Sequence, residues 1–365
     1  MASAGHRSKP VARRSSGTGG PPSPTRRRST FFLAAVSCVA AAALFELGVR
    51  WLEPQPESRY RYSPATYFEP TPGARYVYRR QEFSVPIQIN DFGMRDLPRR
   101  LEKPPGGLRV ALVGDSFAEA LQVPLDSTVA RLLEERLHAC FPARPLEVLN
   151  FGVSGFGAAC CAARTKHLAA RFHPDLALYL FVANDLLDVV GNDARIYVVE
   201  GDSMRLRPVV LGPLRRSARW LTDLAKAHLQ AYRFLRFRQQ HRAESSRVAA
   251  AQERGVTGGT TELLLDELQW RRFCQALALL RQEAAAAGAP LLLAQATTFG
   301  PQMSARLAGL CDALGIPYLD LVGVLAADPG PVSFRIDGHW RARGHWVAAS
   351  ALAPVVCDML KAREP

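Results

Sequence analysis

Short apolar runs alternate with segments of helical periodicity from about residue 107 to the end of the chain. The runs are almost continuously apolar, which is typical of strands buried on both faces of a parallel sheet. Turn-forming residues bound most of them, as expected for strands. The predicted strands are Arg109–Val113, Leu146–Phe151, Asp175–Val182, Pro290–Ala296 and Pro317–Leu321.

Apolar residues at helical spacing fill the segments around these runs. Strands that alternate with helices predict an α/β domain in which helices cover both faces of a parallel sheet. We assign this domain to residues 107–365. The predicted helices are Ser127–Ala139, Ala158–Arg171, Thr261–Ala287, Gln302–Leu314 and Gly344–Lys361.

The N-terminal region lacks this alternation of strands and helices. A basic, Ser- and Pro-rich tail over 1–30 is followed by the apolar stretch Phe31–Val49. That stretch is long enough to span a bilayer, and Arg26–Arg28 before it place the N-terminus in the cytoplasm. We therefore predict a disordered tail and a membrane anchor over 31–51. A cleaved signal peptide, with small residues at Ala41–Ala43, and a buried core helix are the alternatives.

Two further segments lie outside the regular alternation. Residues 52–106 are rich in Pro, Tyr and Arg, and Phe83–Asn90 alternates like an edge strand, so we expect a linker with a small β element. A basic stretch at about 203–250 is inserted in the domain and repeats apolar residues such as Trp220 and Leu224 at helical spacing. Two interpretations stay open: a helix packed on the domain, or a lid that faces anionic lipid or acidic polysaccharide.

The formal net charge of +13 comes mainly from the tail and from this insertion. Neither stretch contains a nucleic-acid-binding motif with interleaved aromatic residues, so we expect no nucleic-acid partner. The seven cysteines show no metal-ligand spacing with histidines, and we expect neither a metal nor another cofactor. A disulfide is permitted outside the cytoplasm, but the sequence does not assign its partners.

Polar residues follow three of the predicted strands and precede the last helix. Ser116 comes after the first strand, Gly155 after the second and Asn184 after the third, while Asp337 and His339 stand before the final helix. Ligands of such sheets bind at the carboxyl ends of the strands. We therefore expect these five residues at one edge of the sheet.

These residue types are the ones that acyl transfer requires. A serine hydroxyl needs a neighbouring base, which His339 supplies for Ser116, and a carboxylate such as Asp337 orients the imidazole. The oxyanion of the tetrahedral intermediate needs preset donors, for which we select the backbone N–H groups of Ser116 and Gly155 and the side-chain amide of Asn184. Each residue taken alone has a simpler explanation as a turn or capping residue.

The four segments together resemble the SGNH (GDSL-type) hydrolases, over roughly residues 107–360. "GDSF" contains Ser116, "NFGVSG" contains Gly155, "AND" contains Asn184, and "DGHW" contains Asp337 and His339, in the order of the family. The resemblance implies a flavodoxin-like, doubly wound sheet of five parallel strands.

Two departures from the family pattern affect the site. Val182 and Ala183 stand where a glycine commonly precedes the Asn-Asp pair, and the last motif is Asp-x-His instead of Asp-x-x-His. The Asp-x-His-Trp form resembles that of membrane-linked members, some of which O-acetylate exopolysaccharides. The shorter spacing leaves open whether Asp337 orients His339 or has only a structural role.

Two functions remain open from the sequence. The first is a membrane-anchored serine esterase or O-acyltransferase on the periplasmic or extracellular side of the cell membrane, acting on an acylated small molecule or glycan of the envelope. The second is a non-catalytic assembly or glycan-binding protein on the same fold. The sequence does not define the oligomeric state.

Overall fold

The computed structural model describes residues 24–52, 59–235, 266–298 and 300–363. The chain divides into two compact units, residues 1–54 and 55–365. In the first unit a single helix, α1 (Pro24–Leu52), contains the apolar stretch. Its segment Phe31–Leu52 is long and apolar enough to cross a membrane, with a mean hydropathy of 2.1 and only 6% of its residues buried.

Helix α1 begins earlier than the apolar stretch, so residues 24–30 are helical, contrary to the disordered tail that we predicted over 1–30. Proline is favoured at the first position of a helix, and the three arginines that follow are good helix formers. The remainder of the predicted tail lies outside the described residues.

Five parallel strands form the central sheet of the second unit: β5 (Leu108–Gly114), β6 (Leu146–Asn150), β7 (Leu176–Phe181), β10 (Leu291–Gln295) and β11 (Tyr318–Asp320). Their spatial order is β6–β5–β7–β10–β11, which is the flavodoxin-like 2-1-3-4-5 order. The predicted fold is confirmed, and every predicted strand differs from the observed one by at most one residue at either end.

Successive residues of each strand point to opposite faces and enter two separate cores. In β5, Val110 and Leu112 pack in the core under α3 (Val129–Cys140) and α10 (Ala342–Lys361). The neighbouring Ala111 and Val113 pack in the opposite core. That core lies under α4 (Ala158–His167), α7 (Glu267–Ala286) and α8 (Pro301–Ala313).

The predicted helices occur, with differences at their ends. Ala158–Arg171 is divided into α4 and a short 3₁₀ turn, and the first residues of Thr261–Ala287 lie outside the described residues. Shorter helices connect the strands to these longer ones: α2 (Ser116–Glu119), α5 (Asp185–Asp188) and α9 (Val322–Ala327).

Among the described residues, three antiparallel hairpins lie outside the main sheet. The first joins β1 (Tyr60–Ser63) to β2 (Tyr67–Pro70), the second joins β3 (Arg75–Arg79) to β4 (Ser84–Gln88), and the third joins β8 (Tyr197–Glu200) to β9 (Ser203–Leu206). The alternating segment Phe83–Asn90 therefore contains strand β4, whose Val85 and Ile87 pack in a small core of their own.

The basic insertion contains the helix α6 (Pro213–His228), and its part beyond residue 235 lies outside the described residues. A disulfide joins Cys140 at the end of α3 to Cys357 in α10, with their Cα atoms 6.3 Å apart. The disulfide links two helices on one face of the sheet. The sequence alone did not assign this pair of cysteines.

Candidate functional site

Ser116 lies at the first position of α2, immediately beyond the carboxyl end of strand β5. The preceding Asp115 caps this short helix, because its carboxylate accepts the backbone N–H of Phe117 at 2.9 Å. Asp115 is buried, and this burial raises the pKa of its carboxyl. The cap fixes the turn that brings the hydroxyl of Ser116 to the edge of the sheet.

The side chains of Ser116, His339 and Asp337 form one chain of hydrogen bonds. The Oγ atom of Ser116 is 2.7 Å from Nε2 of His339, and Nδ1 of the same ring is 2.6 Å from Oδ1 of Asp337. With Nδ1 protonated and donating to Asp337, Nε2 is left to accept the hydroxyl proton. The arrangement has the geometry of a Ser-His-Asp triad.

The short Asp-x-His spacing works because the backbone bends between the two residues. Gly338 has φ +83°, a left-handed conformation that side chains other than glycine rarely adopt. Around it, the amide of Phe334 donates to the carbonyl of His339 at 2.8 Å, and the amide of Gly338 donates back to Phe334 at 3.2 Å. This closed turn directs both Asp337 and His339 to the same side.

The three predicted oxyanion donors lie at the ends of neighbouring strands. Gly155 follows β6 with φ +81°, and a Cβ atom there would lie 3.2 Å from the amide of Asn192. In the described part of the chain, the backbone amides of Ser116 and Gly155 donate to no other backbone group. The amide Nδ2 of Asn184 lies 3.2 Å from Oδ2 of Asp115, the residue next to Ser116.

Asn184 and the loop of Gly155 are connected through two further residues, Asp188 and Asn192, which are not among the predicted site residues. Asp188 accepts the amide of Asn184 at 3.0 Å, and Asn192 contacts Asp188 at 3.4 Å and donates to the carbonyl of Gly155 at 3.0 Å. Burial raises the pKa of Asp188 to about 6. The spacing of Asn184, Asp188 and Asn192 at every fourth residue is the only signal in the sequence that predicts this row.

A second buried carboxylate, Glu119, supports the same loop from the opposite side. It accepts the backbone amide of Ser154 at 2.8 Å and the phenol of Tyr60 at 3.0 Å. Arg95, which is only 2% exposed, donates to the carbonyls of Glu119 and Ala120 behind the serine. No local pattern distinguishes these residues, because their partners are distant along the chain.

The loop of Asp337 is held by a residue of the β3–β4 hairpin. Glu82 accepts three consecutive backbone N–H groups, those of Arg335, Ile336 and Asp337, at 2.8 to 2.9 Å. Burial disfavours its charge, but these three donors outweigh that effect and lower the pKa of Glu82. The neighbouring ring of Phe83 packs on Phe334, with the ring centroids 5.1 Å apart.

Aromatic rings fix the imidazole on its other side. The ring of Phe117 lies 4.8 Å from that of His339 and 5.2 Å from that of Trp340. Trp340 in turn packs on His345, which is buried and accepts the amide of Val129 at 3.3 Å. Burial lowers the pKa of His345 to about 3, so this ring is neutral and supports the packing.

The chain is similar to several solved structures at low sequence identity. TesA matches with 18% identity and a TM-score of 0.41, over 69% of this chain and 99% of its own. A two-domain esterase active on acetylated mannans matches with 13% identity and a TM-score of 0.40, over 72% of this chain and 52% of its own. The lipase/acylhydrolase from Enterococcus faecalis matches with 13% identity and a TM-score of 0.39, over 71% of this chain and 100% of its own. No protein-family model matches the sequence, and no curated protein does.

Proposed function

We propose that the protein is a serine esterase or O-acyltransferase in which Ser116 is the nucleophile. The observation that carries this proposal is the continuous hydrogen-bonded chain from Ser116 through His339 to Asp337. Beside the serine, the backbone amides of Ser116 and Gly155 donate to no other backbone group among the described residues, and the side-chain amide of Asn184 lies 3.2 Å from the carboxylate of Asp115. Hydrogen-bond donors of this kind are what a developing oxyanion requires.

In the proposed reaction, His339 takes the hydroxyl proton of Ser116 while Oγ attacks the carbonyl carbon of an ester. The resulting oxyanion is bound by the amides of Ser116 and Gly155 and by the side chain of Asn184, whose Nδ2 exchanges its hydrogen bond to Asp115 for one to the oxyanion. Asp337 stabilises the imidazolium. His339 then returns the proton to the departing alcohol, which leaves an acyl-serine. Water or a second hydroxyl, deprotonated by His339, releases the acyl group.

We further propose that the enzyme is anchored by α1 and that the second unit is outside the cytoplasm. The apolar segment Phe31–Leu52 supports an anchor, and Arg26–Arg28 support a cytoplasmic N-terminus. The Cys140–Cys357 disulfide is consistent with an oxidising compartment. The proposed substrate is an acylated molecule of the cell envelope, and the Asp-x-His-Trp motif makes a glycan the first class to examine.

Pre-steady-state hydrolysis of p-nitrophenyl acetate by the full chain tests the proposal. We expect a burst of p-nitrophenol stoichiometric with enzyme and an acetyl adduct on Ser116 in acid-quenched samples. Ser116→Ala abolishes both, whereas Ser203→Ala, a matched change at an exposed serine of β9, keeps the burst. A folded protein with no burst and no turnover of any acyl ester would instead support the non-catalytic function.

A further inference from the structure

Helix α6 has an unusual orientation, because its polar side is turned toward the protein. The guanidinium of Arg219 lies 5.5 Å from the ring centroid of Tyr62 and pairs with Asp223 at 3.3 Å. Lys226 also pairs with Asp223 at 3.3 Å. The side chains of Arg219 and Lys226 are only 29% and 21% exposed.

The opposite side of α6 is apolar and faces outward. At helical spacing, Leu214, Trp220, Leu221 and Leu224 lie on one half of the helix, and their exposed fractions are 88%, 63%, 58% and 43%. Val210, just before the helix, is 81% exposed. A helix on the surface of a globular protein normally shows the reverse arrangement, so a contiguous apolar face of this kind indicates a partner.

The charge at the border of this face indicates the chemistry of that partner. Arg216 borders it one turn before Trp220, is exposed, and pairs with no acidic side chain among the described residues. A helix with tryptophan and leucine on one side and arginine at the border has the composition of helices that lie in the surface of a bilayer. Anionic lipid headgroups complement this arginine.

The segment that connects α1 to the second unit is also short enough to allow α6 to contact the membrane. Only seven residues separate Leu52, the end of α1, from Tyr60, the start of β1. An extended chain of that length covers less than about 30 Å, which is comparable to the thickness of a bilayer's hydrocarbon core. If α1 spans the membrane, the second unit remains close to the bilayer surface.

We propose that α6 inserts its outward apolar face into the surface of a membrane that contains anionic lipid. This inference rests on the membrane anchor in the proposed function. The bilayer covers Leu214, Trp220, Leu221 and Leu224 at the boundary of headgroups and acyl chains, and Arg216 binds a lipid phosphate. The catalytic unit is thereby held at two points, which restricts it to substrates at the membrane surface.

Tryptophan quenching in nanodiscs tests this proposal on the full chain. The discs contain phosphatidylcholine and phosphatidylglycerol, with or without brominated acyl chains, and wild type is compared with Trp220→Phe. We expect bromine to quench most of the emission that Trp220→Phe removes. The variant Arg216→Glu, and discs of phosphatidylcholine alone, should both lose much of this quenching.

The other outcomes separate this inference from its premises. Trp220 emission that is blue-shifted but unquenched would show that another part of the chain or a second copy covers the face, and it overturns the proposal. A protein that does not incorporate into discs overturns the anchor and this inference together. Hydrolysis of p-nitrophenyl acetate by the same samples reports separately on the catalytic proposal.

Discussion

Ser116, Gly155 and Asn184 lie within five residues of the ends of strands of the buried sheet, whereas Asp337 and His339 lie in a loop that is fixed from outside the sheet. The first group is positioned by short turns on strands that are buried at every position except Glu147. The second group depends on Glu82 of the β3–β4 hairpin and on the left-handed turn at Gly338.

This difference separates two ways of positioning a reactive group. Strand ends are fixed by the core, so displacing Ser116 requires disruption of packing on both faces of the sheet. The loop of His339 is fixed by a few polar contacts near the surface, and each of these can be removed without a cavity. We therefore expect changes around the loop to lower catalysis with little loss of stability.

The largest effect is expected from removal of His339, the proposed base. His339→Ala should lower kcat on a model ester by at least about 10⁴-fold with KM little changed, as for loss of a triad member. The measurement is steady-state kinetics with p-nitrophenyl acetate, and His345→Gln is a control for a buried histidine nearby. Activity within ten-fold of wild type in His339→Ala would exclude His339 as the base.

A comparable but smaller loss is expected when the orienting carboxylate is changed. Nδ1 of His339 is 2.6 Å from Asp337, and no described residue other than Asp337 hydrogen-bonds to that nitrogen. Asp337→Asn should therefore lower kcat by about 10³- to 10⁴-fold, because the imidazole no longer holds the right tautomer. Near-wild-type activity in this variant would mean that the site works as a Ser–His dyad.

Gly338 provides an independent test of the same turn. A Cβ atom there meets nothing within 4 Å, so Gly338→Val acts through the backbone, at a cost of about 1–2 kcal/mol for a left-handed residue. We expect loss of activity in a folded protein, with partial recovery in Gly338→Asn, since asparagine tolerates this conformation. Equal activities of the valine and asparagine variants would argue against the bend as the cause.

Glu82 tests whether the hairpin positions the catalytic loop. Glu82→Ala leaves three backbone donors unpaired and should lower kcat by about 10- to 100-fold through misplacement of the imidazole. Glu82→Gln, which keeps one acceptor, should fall between this variant and wild type, while the exposed neighbour Gln81→Ala should be unaffected. A change in the melting temperature alone, without a change in kcat, would make the contact merely structural.

The smallest effect is expected at Asp188, next to the residues that follow the sheet strands, and it changes the free energy of unfolding and not the activity. Burial raises the pKa of Asp188 to about 6, above the unfolded value of 3.8, so its ionisation disfavours the folded state. Wild type should lose stability as pH rises from about 4 to about 6, and Asp188→Asn should lack this loss. After allowance for partial exposure we expect a gain of about 1–2 kcal/mol at pH 7. Urea unfolding of both proteins at pH 4 and 7 measures this gain. If the free energies of unfolding of wild type and Asp188→Asn changed equally with pH, the prediction would be contradicted.

The residues at the strand ends and the loop of His339 also differ in how far the sequence predicts them. Buried apolar runs locate the strands, so Ser116 and Asn184 could be assigned to strand ends before the structure was known. Glu82 could not be assigned, because its partners are more than 250 residues away and no periodicity connects them. The outward apolar face of α6 was equally hidden, since the sequence predicts an amphipathic helix but not which face is turned to solvent.

Fluorophosphonate labelling followed by peptide mapping is the decisive experiment on the proposed nucleophile, because the reagent reacts with an activated serine whatever the natural acyl group is. We expect one adduct, on Ser116, in the full-length protein. Ser116→Ala should show none, and His339→Ala should react far more slowly. A folded wild-type protein that remains unlabelled, or one labelled at another serine, would exclude Ser116 as the nucleophile.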